Sequence, residues 1–402
     1  MKLDNQVVIL GGGMVGGALA CALGQAGIAV TVVEATPPTP PDPEGPYDLR
    51  VSAISLASET LLRNLGAWDE IPALRLAPYQ VMRVWEWGGE VHFDAAEVGQ
   101  PHLGHIIENR VIQWALYQRA RRLPEVQWLS PVRPCRIRWE DEAVHLHLDD
   151  GRELRARLVV GADGARSWLR HQAGIESRGW SYRQMGLVSV VRTALPHQET
   201  AWQRFLPGGP LAFLPLSDGS CSIVWSLPED RARRHLQLPD WAFRDALARA
   251  FGHRLGAVEW NGPRAAFPLR LHHARRYTAP RLALVGDAAH TIHPLAGQGV
   301  NLGLLDAAAL AQTLTEAHRR GRDLGAHPLL RRYERARKGD NWGMALSMDA
   351  FHRLFTPAHL PLRLLRNLGL AQFDRHPLAK RRAIQAALGW RGEIPELARP
   401  RV

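Results

Sequence analysis

The sequence predicts an α/β protein: a parallel-sheet domain interrupted by a largely antiparallel sheet, with helices at the C-terminal end. Three observations support this prediction. Residues 6–34 follow the pattern of strand, glycine-rich turn, helix and strand. Apolar segments at 158–160 and 282–285 are each followed by a turn containing glycine and an acid. Between these segments, residues 179–277 alternate apolar runs with turn residues, which is typical of antiparallel strands.

Length and composition limit the possible classes of protein. The chain has 402 residues, 46% of them hydrophobic, which suffices for a large core and favours two domains over one. Its three cysteines are far apart and form neither a disulfide framework nor a zinc pattern, so a reducing, cytoplasmic setting fits best. The net charge of +11 fits either a solvated surface or attraction to an anionic membrane face. No basic run is interleaved with aromatic residues, so nucleic-acid binding is disfavoured.

The apolar N-terminal stretch 7–24 is not expected to be a secretion signal or a membrane anchor. The tripeptide Ala-Cys-Ala at 20–22 resembles a cleavage site, but Asp4 offsets Lys2, and the six glycines of the stretch are poor material for a spanning helix. No other segment is apolar over a length that would span a bilayer.

Residues 6–34 form a βαβ unit with a dinucleotide-binding fingerprint. Gly11 permits a tight turn, Gly13 lets the backbone approach a pyrophosphate, and Gly16 allows close packing of helix and strand. The phosphates would lie at the unpaired N–H groups of the helix start. Glu34 ends the second strand, where an acid binds a ribose diol and disfavours a 2′-phosphate. The unit predicts a Rossmann-like domain holding NAD or FAD, with contacts from Gly11, Gly13, Met14, Val15, Gly16 and Glu34.

Three further segments place charged residues beside strands or turns. They contain Arg50, after a proline-rich loop, and the pairs Asp163-Gly164 and Gly286-Asp287, each after a strand. Each segment also has a simpler structural explanation. Arg50 would form a salt bridge with Asp48, Asp163 would belong to an ordinary turn, and Asp287 would be a helix N-cap. The glycines that follow Asp287 favour a ligand site over an N-cap, because a cap requires no bare backbone.

The order of these motifs resembles that of a known family. A GxGxxG turn, an arginine segment, a DG motif and a GD motif follow one another between residues 11 and 306, as in the aromatic-hydroxylase group of FAD-dependent monooxygenases. Within that group the strings GGGMVGGALA, VWEWGGEVHFDAAEVG and HTIHPLAGQGVNLG resemble the ubiquinone-biosynthesis hydroxylases. Near the C-terminus, SMDAFHRLF and RLLRNLGL resemble the demethoxyubiquinone hydroxylase branch. The resemblance covers essentially the whole chain.

The resemblance implies that FAD is the cofactor, bound in a para-hydroxybenzoate-hydroxylase-like fold. Asp287 would accept hydrogen bonds from the ribityl hydroxyls, because a carboxylate only accepts and its charge strengthens the bond. The glycines that follow would let bare backbone lie against the flavin ring, with the next helix starting at N1 and O2. The implied cofactor contacts beyond the first βαβ unit are Arg50, Arg110, Gln113, Asp163, Gly286, Asp287, Pro294, Gly297, Gln298, Gly299, Val300 and Asn301. His293 and Pro294 would be the catalytic neighbours of the reacting atoms, and a solvated helix face is the alternative for Arg110 and Gln113.

The interruption of the flavin motifs predicts a discontinuous domain organisation. The FAD-binding domain would comprise residues 1–75, 100–178 and 278–345. Residues 76–99 and 179–277 would form a substrate-binding β-sheet domain laid over the flavin. Residues 346–402 would form a helical C-terminal region, whose basic amphipathic stretch fits either contact with anionic lipid or packing on the core.

Tryptophans and histidines offer two further candidate sites. Four tryptophans would either line an aromatic-ligand pocket or belong to the core: Trp85, Trp87, Trp202 and Trp225. The histidines at 272–273 are adjacent and would point apart in a strand, while His290 and His293 lie in the flavin loop. No metal site is therefore predicted.

The resemblance implies an enzyme that hydroxylates the ring of a polyprenylated benzoquinol in ubiquinone biosynthesis, most closely at the demethoxyubiquinone step. Flavin reduced by NADH or NADPH in a transient encounter would react with O2 to give a C4a-hydroperoxide, which transfers its distal oxygen to the ring. Three alternatives stay open: hydroxylation at another ring carbon, reduction of a prenyl lipid on the same fold, and a non-catalytic role in a ubiquinone-biosynthesis complex. The expected location is cytoplasmic, with peripheral contact to the inner face of the cytoplasmic membrane.

Overall fold

A computed structural model describes residues 5–292, 299–355, 360–390 and 392–400. Its strands are β1 (Asn5–Leu10), β2 (Val30–Val33), β3 (Val51–Ser55), β4 (Ala77–Tyr79), β5 (Val81–Glu86), β6 (Gly89–Asp94), β7 (Gly104–Glu108), β8 (Val126–Leu129), β9 (Pro134–Trp139), β10 (Val144–Leu148), β11 (Glu153–Gly161), β12 (Ser177–Thr193), β13 (Thr200–Leu206), β14 (Gly209–Pro215), β15 (Cys221–Pro228), β16 (Val258–Asn261), β17 (Ala265–Ala274), β18 (Thr278–Ala279), β19 (Leu282–Leu284) and β20 (His290–Thr291). Its α-helices are α1 (Met14–Gln25), α2 (Leu56–Asn64), α3 (Asn109–Arg121), α4 (Trp168–Gln172), α5 (Glu229–Gln237), α6 (Asp240–Phe251), α7 (Gly299–Arg319), α8 (His327–Phe355), α9 (Leu360–Asp374) and α10 (Pro377–Ala387).

The first sheet has a parallel centre built from the motif-bearing strands. Its order is β18-β19-β11-β1-β2-β8, with β10 and β9 added beside β11. Strand β1 pairs in parallel with β2 and β11, and β11 pairs in parallel with β19. Helix α1 packs against α3 and α7. The carboxyl ends of β1, β2, β11 and β19 therefore meet at one edge of the sheet, where an open α/β sheet binds its ligand.

The second sheet has nine strands and is almost entirely antiparallel. Its order is β20-β17-β12-β15-β14-β13-β5-β6, with β16 beside β12, and only the β13–β5 pair is parallel. One face packs against α5 and α6 through a buried core. That core contains Trp85, Trp202 and Trp225, whereas Trp87 is exposed. The three buried tryptophans thus fill the space behind the sheet rather than line a ligand pocket.

The face of the nine-stranded sheet opposite this core is here called the front face. Side chains alternate along a strand, so the residues next to the core tryptophans project forward. The middle row of the front face is paired in register across five strands and consists of Val84, Gln203, Ala212, Val224 and Val188. A third sheet, β3-β7-β4, packs against one end of this face, where Ala53 and Ile106 join Val190 and Leu214 in one apolar cluster. The mixed α/β fold with an interleaved antiparallel sheet is confirmed.

The C-terminal helices pack on the β5–β6 hairpin. Arg366 of α9 forms a buried ion pair with Glu86, with Nη2 at 2.6 Å from Oε1. Asn367 accepts a hydrogen bond from the backbone N–H of Gly88 at 3.1 Å. Lys380 of α10 binds Glu97 at 2.9 Å. Of the two alternatives for this region, packing on the protein applies to these residues; the side chains of 360–365 lie outside the described part.

Candidate active site

The turn between β1 and α1 requires glycine at two positions and leaves open space at a third. A Cβ on Gly11 would lie 2.4 Å from the carbonyl oxygen of Ala162, and Gly11 has a φ of +100°. A Cβ on Gly16 would lie 1.9 Å from the carbonyl oxygen of Gly11. A Cβ on Gly13, in contrast, would meet no protein atom within 4 Å. Gly13 thus borders a space that the protein itself does not fill.

The N-terminus of α1 has the features of an anion-binding site. Gly13 is the N-cap residue, so no side chain caps the helix, and the first turn contains no acid. The first N–H groups of a helix have no partner within the helix, and they carry partial positive charge. These groups point towards the open space beside Gly13, which is the arrangement that binds phosphate in other nucleotide-binding folds.

Glu34 lies at the mouth of the glycine-rich turn. Its Oε2 accepts a hydrogen bond from the backbone N–H of Gly12 at 2.6 Å, and its Oε1 accepts one from Thr36 at 2.8 Å. Gln113 of α3 donates from Nε2 to the carbonyl oxygen of Gly12 at 3.2 Å. The structure therefore brings Glu34 and Gln113 together beside the turn. Met14 and Val15 lie in the first turn of α1.

The segment with the DG motif, residues 163–170, is hydrogen-bonded to the turn that contains the GD motif. Asp163 accepts a hydrogen bond on Oδ2 from Leu169 at 3.1 Å, while its buried Oδ1 has no partner in the described part of the chain. Arg170 donates to the carbonyl oxygen of Ala288 at 2.8 Å and to that of Ala165 at 2.9 Å. An orphaned carboxylate oxygen in a buried position is costly unless a ligand supplies the donor.

Asp287 follows β19 in a 3-10 turn, at the edge where the parallel strands end. Its side chain is open to solvent and makes no hydrogen bond to the described residues. It nevertheless lies in a recess, where desolvation by the surrounding protein raises the pKa of its carboxyl, with His290 and Arg50 opposing that rise. An accessible acceptor in a recess, with no protein donor, fits the proposed contact to ribityl hydroxyls.

A buried network that the sequence did not reveal holds the GD turn in place. Asp306 of α7 is fully buried; its Oδ2 accepts from the backbone N–H of Gly286 at 3.2 Å and lies 2.5 Å from Nε2 of His290. Its Oδ1 accepts from Nε of Arg337 at 3.0 Å and from Nδ2 of Asn341 at 2.9 Å. Burial alone would raise the pKa of Asp306, but these partners outweigh it and lower the pKa to about 2. The carboxylate is therefore ionised and fixes the backbone immediately before Asp287.

The first turn of α7 is fastened to the third sheet. Asn301 accepts a hydrogen bond from the backbone N–H of Ser55 at 3.1 Å and donates to the carbonyl oxygen of Ala53 at 2.8 Å. Since this amide is engaged with protein, a flavin contact by Asn301 would use the backbone. Gly299 and Val300 precede it at the helix start, and a Cβ on Gly299 would meet nothing within 4 Å. The other predicted residues of this loop, His293, Pro294, Gly297 and Gln298, lie outside the described residues.

Arg50 and Arg110 differ in how much of their side chain is free. The guanidinium of Arg50 lies 5.8 Å from the ring centre of Phe267, and no ion pair with Asp48 is present among the described side chains. Arg110 instead pairs with Glu108, with Nη2 at 2.8 Å, and donates to the carbonyl oxygen of Pro46 at 2.7 Å. Arg50 is therefore available to a phosphate, whereas Arg110 orders the proline-rich loop.

One cluster that the sequence did not reveal groups a carboxylate with two histidines, as some metal sites do. Glu59 Oε2 lies 2.9 Å from Nε2 of His102 and 3.0 Å from Nδ1 of His105, and Arg63 binds the other carboxylate oxygen at 2.8 Å. Desolvation of Glu59 is outweighed by these partners, so its pKa lies well below the usual range. The guanidinium of Arg63 therefore already supplies a positive charge beside this carboxylate.

Taken together, the residues at the sheet edge fit FAD. An uncapped helix start beside open space suits the pyrophosphate, Glu34 suits a ribose, and the partnerless carboxylate of Asp287 suits the ribityl chain. The free guanidinium of Arg50 and the orphaned Oδ1 of Asp163 lie on neighbouring loops. These groups need a ligand that is long, anionic in the middle and rich in hydroxyls.

Comparisons with known proteins agree with this chemistry. A family model described as FAD binding domain matches residues 4–345. The chain is 44% identical over 388 residues to 3-demethoxyubiquinol 3-hydroxylase of Escherichia coli (strain K12), covering 96% of this chain and 98% of that protein. It is 42% identical to ubiquinone hydroxylase UbiL of Rhodospirillum rubrum, covering 95% and 89%. It is 36% identical to the human mitochondrial ubiquinone biosynthesis monooxygenase COQ6, covering 90% and 88%.

Solved structures show the same fold at low identity. The p-nitrophenol 4-monooxygenase PnpA of Pseudomonas putida superposes with a TM-score of 0.79 at 20% identity, covering 98% of this chain and 99% of that one. PqsL of Pseudomonas aeruginosa, described as a probable FAD-dependent monooxygenase, gives 0.77 at 24% identity, covering 92% and 99%. This chain belongs to the family of FAD-dependent monooxygenases that contains the ubiquinone hydroxylases.

Proposed function

We propose that this protein hydroxylates the ring of a polyprenylated benzoquinol at the demethoxyubiquinol step of ubiquinone biosynthesis. The overall reaction would consume O2 and NADH or NADPH with one proton, and would yield the ring hydroxyl, water and the oxidised nucleotide. The observation that carries the proposal is that the flavin motifs follow strands at one sheet edge, and that the turn with Asp287 leads directly into β20 of the nine-stranded sheet. The step itself is taken from the Escherichia coli relative, which is 44% identical over nearly the whole of both chains.

The protein's own residues would bind and orient the reactants. Bound FAD supplies the redox chemistry, taking a hydride from the nicotinamide and activating O2 for transfer of one oxygen atom to the ring. The start of α1 and Arg50 would hold the pyrophosphate, Glu34 a ribose, and Asp287 the ribityl hydroxyls. Asp306 would keep Asp287 in position, because it fixes the N–H of Gly286. His293 and Pro294 are proposed as neighbours of the reacting atoms by family resemblance.

The nine-stranded sheet would serve as the substrate domain. We keep the proposed division of 1–75, 100–178 and 278–345 for FAD binding and 76–99 with 179–277 for substrate. The front face is almost entirely apolar in its middle row, which suits an aromatic ring with a prenyl tail and excludes water. Exclusion of water matters because oxygen that is not transferred to substrate would be released as H2O2.

A lipid-soluble substrate leads us to propose peripheral membrane contact through the C-terminal region 346–402. Leu368 and Leu378 are exposed on α9 and α10, and Arg375, Arg381 and Arg382 lie on the same segment. Apolar side chains beside arginines are typical of helices that lie in an anionic interface. No helix among the described residues has the length and hydropathy to cross a membrane.

Co-sedimentation with vesicles containing phosphatidylglycerol should fall when both leucines are replaced by glutamate. Membership of a ubiquinone-biosynthesis complex stays a prediction.

The proposed reaction is tested most directly by combining genetics with an assay. Deletion of the gene should cause the demethoxy precursor of ubiquinone to accumulate, and the purified holoenzyme should convert a short-chain demethoxyquinol to the hydroxylated product. Accumulation of an earlier ring precursor would assign the enzyme to another carbon. Oxidation of NAD(P)H with reduction of a prenyl double bond, and no ring oxygen gained from ¹⁸O2, would assign it to the reductase class.

A further inference from the structure

Gln203 is a buried polar residue whose side-chain amide has no hydrogen-bond partner among the described residues. It belongs to the middle row of the front face, between Val84 on β5 and Ala212 on β14. Its exposure is 7%, and its side-chain amide makes no hydrogen bond within the described part of the chain. Its amide atoms are nevertheless not among the fully enclosed polar atoms that lack a partner, so the amide reaches open space.

Gln184, a second buried glutamine, has a structural role and serves as a comparison for Gln203. Gln184 on β12 has an exposure of 5%, close to that of Gln203. Its Nε2 donates to the carbonyl oxygen of Gly208 at 2.8 Å, and its Oε1 lies 2.9 Å from Nε2 of His352. Both ends of the Gln184 amide are thus used to join elements. Gln203 makes no such connection, so structure alone does not explain a polar group at its position.

The space in front of Gln203 is bounded by elements that carry the flavin loop. On one side, Phe205 and Phe355 stack with ring centres 4.1 Å apart. Met348 of α8 packs both against that pair and against the cluster that contains Ile292 and Leu302. Ile292 and Leu302 flank the segment that follows Asp287, where the flavin ring is expected. Met348 thus connects the front face to Ile292 and to the first turns of α7.

The middle row is open where a ring would have to lie. Ala212 and Val224, the next two residues of the row after Gln203, are partly exposed although they occupy central strands of the sheet. These small side chains leave open space in front of the sheet, next to the Gln203 amide. The front face therefore offers a binding surface that is apolar except at this amide.

We propose that the Gln203 amide binds an oxygen substituent of the substrate ring and thereby fixes which carbon faces the flavin. This inference rests on the proposed function. An amide suits the role because it can donate to a carbonyl or methoxy oxygen and accept from a hydroxyl. It is also uncharged, so its burial does not carry the desolvation cost of a carboxylate. Orientation by one hydrogen bond within an apolar pocket is an effective way to select between similar ring positions.

The test compares Gln203→Leu with Gln184→Leu in the FAD-loaded full chain. Gln203→Leu should keep the wild-type FAD content and melting temperature, because no protein hydrogen bond is lost. Its kcat/KM for a short-chain demethoxyquinol should fall about tenfold, and a larger share of the NAD(P)H consumed should appear as H2O2. Gln184→Leu should instead lower the melting temperature. Equal melting losses in the two variants, or unchanged kcat/KM and coupling in Gln203→Leu, would overturn the proposal.

A binding measurement separates this inference from the proposed function. Kd is measured from the flavin absorbance change for a ring quinol and for its analogue lacking one ring oxygen. Wild type should prefer the oxygenated ligand by about tenfold, and Gln203→Leu should lose that preference. If wild type binds both ligands equally, the inference fails even when hydroxylation occurs. If wild type shows the preference without hydroxylating, the proposed reaction fails and the role of Gln203 stands.

Discussion

Replacing Asp306 by asparagine should destabilise the protein and weaken FAD binding. The change preserves shape but removes the charge that balances Arg337, whose side chain is 3% exposed. In the wild type both carboxylate oxygens of Asp306 accept hydrogen bonds. In Asp306→Asn one of them is replaced by an NH2 group, which would face a hydrogen-bond donor. Breaking a buried ion pair costs about 3–5 kcal/mol. With an unfolding entropy of about 0.8 kcal/mol/K for a chain of this length, the melting temperature should fall by roughly 4–6 °C.

The matched control for Asp306→Asn is Asp340→Asn, which acts on the same arginine. Asp340 pairs with Nη1 of Arg337 at 3.7 Å, and its side chain is 44% exposed. An exposed pair contributes at most about 1 kcal/mol, so the melting temperature should move by about 1 °C. Differential scanning calorimetry of the apoproteins and FAD titration by fluorescence measure both effects. Equal melting changes in the two variants would refute the importance assigned to the buried network.

The same network predicts a pH dependence. Asp306 has a pKa of about 2 when folded, below its ordinary value of about 3.9. A lowered carboxyl pKa stabilises the folded state fully above the ordinary value, and this stabilisation disappears as the pH falls towards the folded value. The melting-temperature difference between wild type and Asp306→Asn should therefore be constant above about pH 4 and should narrow between pH 4 and pH 2. A difference that widens on acidification would contradict the assignment.

Three further variants test the cofactor site and the C-terminal packing. Gly16→Ala should prevent correct folding, because its Cβ would overlap a backbone oxygen. Gly13→Ala should melt like wild type but bind FAD weakly. Equal FAD affinity of Gly13→Ala and wild type would contradict the proposed pyrophosphate site beside Gly13. Asp287→Ala should weaken FAD binding by about 1.5–3 kcal/mol, read as Kd, with the apoprotein's melting temperature unchanged since no protein hydrogen bond is lost. Glu86→Gln should cost about 3–5 kcal/mol in urea unfolding, because it removes one charge of the buried ion pair with Arg366. A loss below 1 kcal/mol would show that this ion pair contributes little to the packing of α9.

The sequence predicted best what is encoded locally. The strand, turn and helix at 6–34 follow from hydrophobic period and three glycines, and the structure confirms β1, α1 and β2 there. Glu34 was singled out because it directly follows a strand, and Asp287 because it follows an apolar run and a glycine. Such features need only neighbouring residues, so a single sequence contains the information for them.

What the sequence did not reveal depends on contacts between distant segments. Asp306, Arg337 and Asn341 meet only after two helices pack together, although a signal existed: Asp306 is the single charged residue in 300–315. The free amide of Gln203 is likewise visible only once its strand partners are known. The strand tryptophans could not be assigned to either face, because alternation alone does not say which face is covered by α5 and α6.

The central position of β1 has a consequence for how the protein is made. Val7 pairs with Leu158, and β11 in turn waits for β19 to emerge. A ribosome must therefore translate about two fifths of the chain before both edges of β1 are covered, and about seven tenths before β11 gains its parallel partner β19. Until then the nascent polypeptide exposes an unpaired strand edge. We expect newly synthesised molecules to depend on chaperones during the delay before β19 leaves the exit tunnel.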